Sequence, residues 1–216
     1  MIVTIDGPAG AGKSSIAHQL ARRLGFEFLD TGAMYRAVTL ASLNAKLDFD
    51  DHEAVAKLAG ELLMEFRDDK LFLDGKDVAT EIRTAQVTEK VRFVASNSLV
   101  RSILVDQQRR IGESCANLVT EGRDQGTVVF PNAECKIFLT ATAEERARRR
   151  YRQLIANGEK ITFAEVLDSQ NERDASDAKR DVGPMTKADD AIEVLTDEMS
   201  LEQVVNHLEW VVETCN

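Results

Sequence analysis

Met1-Ile2-Val3-Thr4-Ile5-Asp6-Gly7-Pro8-Ala9-Gly10-Ala11-Gly12-Lys13-Ser14 decides the fold of this chain. Its first five residues are a short apolar, β-branched run of the kind buried inside a parallel sheet. The next nine place Gly7, Gly12, Lys13 and Ser14 at every fixed position of G-x-x-x-x-G-K-[ST]. Ile16, Ala17, Leu20, Ala21 and Leu24 then share one stripe, which predicts a helix over residues 15–24 that Gly25 stops. Strand, glycine-rich loop and helix in this order make a phosphate cradle. Glycines let successive amides turn inward without Cβ clashes, and the helix start adds its positive dipole end. Gly7, Pro8, Ala9, Gly10, Ala11, Gly12, Lys13, Ser14 and Ser15 are therefore the expected nucleotide-phosphate site. Lys13 suits the β- and γ-phosphates, and the Ser14 hydroxyl suits Mg²⁺. A bare turn between strand and helix is the bland alternative, and the complete match in its required context speaks against it.

Such a loop identifies no reaction, because switch GTPases, motor ATPases and small-molecule kinases share it. Thr186-Lys187-Ala188-Asp189 fits the guanine-reading [NT]-K-x-D pattern, but no aspartate of the chain has glycine three residues later. Without the D-x-x-G switch the pattern reads as chance. A second apolar strand, residues 26–29, runs into Asp30-Thr31-Gly32-Ala33-Met34-Tyr35-Arg36, with Thr31 as the expected N-cap of the next helix. A cation near a helix start opposes the dipole, so Arg36 reads as serving an anion. A third strand ends in Glu121-Gly122-Arg123-Asp124, and residues 136–140 form the next. Ligands of a parallel α/β sheet sit at the strands' carboxyl ends, so residues 7–14, 30–36 and 121–124 are expected to converge. Glu121 and Asp124 are placed to hold metal-bound water or a base edge. Arg146, Arg148, Arg149, Arg150 and Arg152 form a basic cluster behind Glu144 and Glu145. It is read either as a solvated, charge-balanced helix or as a source of charge for phosphoryl transfer. Arg173, Asp177 and Arg180 have the spacing of one helical face, as substrate contacts or as intrahelical ion pairs.

The totals narrow the class. A formal net charge of −10 argues against general nucleic-acid or anionic-membrane binding. Three cysteines without C-x-x-C spacing read as free thiols, and three scattered histidines show no zinc-ligand spacing. No apolar run approaches the roughly 18 residues of a membrane span, and no basic leader precedes the first strand. A soluble, cytoplasmic protein without nucleic-acid or membrane partners is the expectation.

G-P-A-G-A-G-K-S, L-D-T-G-A-M-Y-R, E-I-R-T, E-G-R-D-Q-G-T-V-V-F-P and E-R-D-A-S-D-A-K-R follow one another over the whole chain. In this combination the sequence resembles the bacterial-type cytidylate kinases of the nucleoside monophosphate kinase family. The resemblance implies an α/β P-loop three-layer fold with a central parallel sheet flanked by helices, a small β-containing acceptor insertion and a helical lid. The implied parts are a core over about 1–35, 86–145 and 184–216, an insertion over about 36–85 and a lid over about 146–183. Lys13 would hold the ATP phosphates, with Arg146 and Arg150 in the lid that closes over ATP. Arg36, Arg123 and Arg180 match arginines that clamp the acceptor phosphate. Thr31 and Tyr35 lie near the acceptor nucleotide, Arg101 and Asp124 match the cytosine-reading positions, and Arg173 and Asp177 match the ribose pair. One departure is Arg92, where the family pattern has a serine that helps bind cytosine; Ser96 and Ser98 stand nearby. The implied reaction is phosphoryl transfer from ATP, with Mg²⁺, to CMP and dCMP, by a monomer. A kinase for another nucleotide such as UMP, or a nucleotide-dependent switch, are the competing classes. Residues 65–67, 70–73 and 77–79 are strand candidates for the insertion, with a hairpin turn at Asp74-Gly75.

Overall fold

The apolar run after Met1 becomes β1 (Ile2–Asp6), with Val3 and Ile5 fully buried. In this computed structural model, which describes residues 1–67 and 70–215, β1 pairs in parallel with both β6 (Leu118–Glu121) and β7 (Cys135–Thr140). A strand buried on both faces has no polar face to alternate with, which is why its sequence is nearly continuous in apolar residues. β7 pairs in parallel with β8 (Ile192–Leu195), and β2 (Glu27–Asp30) completes a five-stranded sheet ordered β2-β6-β1-β7-β8. The α/β P-loop fold expected from the opening residues is the fold observed.

The chain divides into two compact units, residues 1–28 with 116–216, and residues 29–115. In the first, α1 (Lys13–Leu24) and α8 (Leu201–Thr214) share one core cluster with β1, β6 and β7. α1 begins at Lys13, two residues before its apolar stripe suggests, because Gly12 takes the left-handed conformation (φ +88°) that lets the loop turn directly into the helix. Gly25 ends it as expected, with φ +68° and its N–H on the Ala21 carbonyl. α8 starts with a reciprocal capping box between Ser200 and Gln203 and buries Val204, Val205, Leu208, Val211 and Val212. α6 (Ala143–Ala156) and α7 (Phe163–Ala178) form an antiparallel pair packed through Ala147, Leu154 and Val166. α7 ends at Ala178, so Arg180 stands in the turn beyond it and does not share a helical face with Arg173 and Asp177.

The second unit contains α2 (Thr31–Asn44), α3 (His52–Glu61), a three-stranded antiparallel sheet of β3 (Met64–Arg67), β4 (Lys70–Leu73) and β5 (Lys76–Asp77), then α4 (Ala85–Ser96) and α5 (Ser98–Ser114). Asp74 and Gly75 both have positive φ, as a type I′ hairpin turn requires. The third strand candidate, residues 77–79, lies one residue earlier and is shorter, at Lys76–Asp77, and Val78 joins a buried cluster with Ala33, Ala37, Leu71, Leu73 and Ile82. The N-cap of α2 is Asp30, not Thr31. Asp30 is extended (φ −83°, ψ 92°) and its carboxylate accepts from the Ala33 N–H at 2.9 Å, which makes Thr31 the first helical residue. This unit includes residues 86–115, which the sequence reading assigned to the core. Residues 68 and 69 of the expected insertion, and 216 of the core, lie outside the described residues. No helix among the described residues is long and apolar enough to cross a membrane.

Candidate active site

The cradle starts where β1 stops. Gly7 passes so close to β7 that a Cβ would run into the Leu139 carbonyl, and its φ of +145° is one that side chains rarely adopt. Gly12 then caps α1 without a side-chain hydrogen bond. The first amides of a helix have no intrahelical acceptor, so this start is suited to a phosphate. Lys13 is 5 % exposed and its Nζ donates to the Pro8 carbonyl at 2.8 Å. Burial, then the Arg123 guanidinium, pulls the Lys13 ammonium down to about 7, against the opposing pull of Glu121 and Asp6. Ser14 Oγ donates to Glu121 at 2.7 Å. Among the described residues no group of three or more His, Cys, Asp or Glu is arranged to hold a metal. A hydroxyl beside one carboxylate fits a Mg²⁺ that takes its remaining oxygens from nucleotide phosphates and water.

Glu121 closes β6, and the chain is then folded back against β1. The Gly122 N–H donates to the Ile5 carbonyl at 3.1 Å. Asp6, the last residue of β1, accepts from the Gln125 and Gly126 amides at 2.9 and 2.7 Å. Residues 125–129 consequently close as one wide turn, with the Phe130 N–H on the Gln125 carbonyl at 2.7 Å. Burial pushes the Asp6 carboxyl up to about 6, partly offset by those two amides. Asp6 therefore positions the backbone that carries Arg123 and Asp124, a role the sequence did not single out. The signal was present: an acid at the end of a buried strand is costly unless amides receive it.

Arg123 Nε donates to Asp177 at 2.9 Å, and Arg180 pairs with the other oxygen of the same carboxylate. Burial works against the Arg123 charge, but Asp177 and Glu121 outweigh it and hold its pKa above the ordinary value. Arg123 and Arg173 both act electrostatically on Lys13, so Lys13, Glu121, Arg123, Arg173, Asp177 and Arg180 form one charged cluster in this unit. The arginine-rich helix divides. Arg146 is buried, with Nη1 on the Ala9 carbonyl at 2.8 Å and Nε on the Ala141 carbonyl at 3.0 Å. It also pairs with Asp174, whose other oxygen accepts from the Ala9 N–H at 2.9 Å. The helix pair thus grips the glycine-rich loop at Ala9, a contact that sequence spacing does not reveal. Arg150 donates to Gln153 at 2.8 Å on its own helix.

In the second unit, the Arg36 Nη1 donates to Thr88 Oγ1 at 2.8 Å and to the Ile82 carbonyl at 3.3 Å. The Arg101 guanidinium lies 5.5 Å from the Tyr35 ring centre, and its Nη1 donates to the Ala95 carbonyl at 3.2 Å. Tyr35 and Arg101, far apart in sequence, are brought together; Thr31 is buried at the start of the same helix. Arg92 is exposed and stacks on its neighbour Phe93, 4.8 Å from the ring centre.

Comparison with known proteins gives these clusters a family. The cytidylate kinase family model matches residues 3–214. A cytidylate kinase of Rhodopirellula baltica is 52 % identical over 215 residues, covering 100 % of this chain and 93 % of that protein. A cytidylate kinase of Fusobacterium nucleatum is 46 % identical, covering 99 % and 97 %. A gluconokinase from Sinorhizobium meliloti, 14 % identical, superposes with a TM-score of 0.51 over 99 % of this chain and 91 % of that one, a likeness of fold alone. With a model matched from the first strand to the last helix and half of all positions shared with one relative end to end, the chain belongs to the cytidylate kinase family of nucleoside monophosphate kinases.

Proposed function

We propose that this enzyme catalyses ATP + CMP ⇌ ADP + CDP, with dCMP as a second acceptor, and that it works as a monomer in the cytoplasm with Mg²⁺. The observation that carries the reading is the pair of arginines on one carboxylate. Asp177 orients both Arg123 and Arg180 in the same cluster as the P-loop lysine. A triphosphate cradle alone fits a switch or a motor; a second set of arginines beside it fits a second phosphate that receives the first.

The acceptor's attacking oxygen is already ionised at neutral pH, so no general base is required. The chain's task is to hold two polyanions in line and to balance the charge between them. The loop amides and Lys13 hold the β- and γ-phosphates, while Arg123 and Arg180 hold the acceptor phosphate. Mg²⁺, taken by Ser14 with Glu121 as outer partner, would neutralise and orient the triphosphate. Asp124 and Arg173 serve the acceptor's base and ribose. In the second unit we assign Thr31, Tyr35, Arg36 and Arg101 to the acceptor on the strength of the resemblance. Arg146 acts on ATP through the loop it fixes, and Arg150 belongs to the covering helix pair.

The deciding experiment measures ADP formation from ATP and Mg²⁺ with CMP, dCMP, UMP, AMP, GMP and dTMP supplied singly. Stimulation by the two cytidine nucleotides, at least about tenfold above UMP, is expected. Equal stimulation by UMP would make this a general pyrimidine kinase, and stimulation by none would remove the kinase reading.

A further inference from the structure

Cys135 is the first residue of β7 and Cys215 follows the last turn of α8. They stand 80 positions apart in sequence, yet the Cys215 thiol donates to the Cys135 sulfur at 2.9 Å. A disulfide bond is about 2.0 Å long, so the two sulfurs have roughly 0.9 Å to close. The approach is made by packing: Cys135 is buried in the cluster that also contains Val3, Val205, Leu208 and Val212, and Cys215 lies partly buried against it. We propose that Cys135 and Cys215 are a reversible redox pair that a low-molecular-weight disulfide closes into a bond tying the end of α8 to the start of β7.

The two thiols are unequal in a way that orders the steps. Cys135 is 1 % exposed, and burial, then the neighbouring Cys215, pushes its pKa well above the usual thiol range. Cys215 is partly accessible and attacks first. Its thiolate, having given its proton to solvent, bonds to one sulfur of the small disulfide, whose S–S bond breaks and releases one thiolate. Cys135 then loses its proton and attacks the Cys215 sulfur, expelling the second thiolate. Each expelled thiolate takes up a proton, so two protein thiols are oxidised by two electrons while one small disulfide becomes two thiols. Cys135 lies at the opposite end of β7 from Leu139, the residue against which Gly7 packs. Four residues of strand put about 13 Å between them. The bond therefore changes the stability of α8 and leaves the phosphate cradle as it was.

The test uses the full chain at pH 8 with excess oxidised glutathione, and in parallel with dithiothreitol. Closure is expected to lower the intact mass by about 2 Da and to leave one titratable thiol in denaturant instead of three. A non-reducing digest should join the Cys135 and Cys215 peptides. Tm should rise by about 5–10 °C, since the closed loop is long, and dithiothreitol should reverse the rise. Turnover should stay within about twofold of the reduced enzyme, as the 13 Å separation requires. Cys215→Ser should abolish the mass change and the Tm shift while Cys115→Ser keeps both. Three remaining thiols, a glutathione adduct that persists on Cys215, a link through Cys115, or a Tm that does not rise would each overturn the proposal.

Discussion

At the scale of single residues, Lys13 carries the sharpest consequence. Its ammonium is held down to about 7 by burial and by Arg123, compared with about 10.5 for an ordinary lysine. The folded chain without nucleotide therefore binds fewer protons than the unfolded chain between pH 7 and 10.5, so this residue makes stability rise with pH across that window. A bound triphosphate reverses the balance, because a polyanion beside the amine restores the charged form. At pH 8 the free enzyme therefore holds Lys13 largely neutral, and binding should take up a large part of one proton. Calorimetric titration with a non-hydrolysable ATP analogue, in buffers of differing ionisation enthalpy, reads that uptake directly. Uptake near zero at pH 8 would mean that Lys13 is already charged; at pH 6 little uptake is expected. Asp177 gives a second case. Its carboxylate orients Arg123 and Arg180 together, so Asp177→Ala should leave both arginines present but misdirected. Losing one charge-assisted contact geometry is worth about 1.5–3 kcal/mol, so KM for CMP should rise about 10–100-fold with KM for ATP little changed. An unchanged KM for CMP would reduce Asp177 to an ion-pair partner of the α7 end.

At the scale of elements, what could be read in the sequence was whatever local chemistry fixes, and what could not was whatever distant partners fix. β1, the P-loop, the Gly25 stop and the Asp74-Gly75 turn follow from residues within a few positions of one another. The cap of α2 was misplaced by one residue because Asp30 and Thr31 are both competent caps, and only the extended backbone of Asp30 chooses. The wide turn over residues 125–129 depends on Asp6, about 120 positions away, and no window of sequence around Gly126 contains that partner. The grip of the α6–α7 pair on Ala9 is of the same kind. Arg146 reads locally as one of five arginines on an exposed helix, whereas its guanidinium is buried between two carbonyls and Asp174. Asp174→Ala should release the Ala9 amide and leave Arg146 buried without its carboxylate. Breaking a buried pair costs about 3–5 kcal/mol, so Tm should fall by about 10 °C, and KM for ATP should rise more than KM for CMP. Asp174→Asn keeps an acceptor for Ala9 and should fall between the two. A variant with wild-type Tm and ATP affinity would show that the hairpin holds itself in place without this contact.

At the scale of the whole molecule, a chain of net charge −10 gathers Lys13, Arg123, Arg173 and Arg180 into one small cluster, which is how an acidic protein could serve two polyanions as proposed. Spacing put Arg173, Asp177 and Arg180 on one helical face and left Arg123 out, whereas α7 stops at Ala178, the chain turns, and Arg180 returns to the Asp177 carboxylate that Arg123 also holds. The two phosphate sites should accordingly be separable by their effect on global stability. A ligand that binds only the folded state at a hundredfold its Kd adds about 2.7 kcal/mol, which for a chain of this length raises Tm by about 5–10 °C. The ATP analogue with Mg²⁺, and CMP, should each give such a shift in the native enzyme. Arg123→Ala should lose most of the CMP shift and keep the analogue's, if Arg123 holds the acceptor as proposed, since it stands outside the glycine-rich loop. Lys13→Ala should do the reverse. Differential scanning fluorimetry of the three proteins with each ligand makes the comparison in one experiment. Loss of both shifts together in either variant would mean that the sites do not fill independently and that one ligand builds the place of the other.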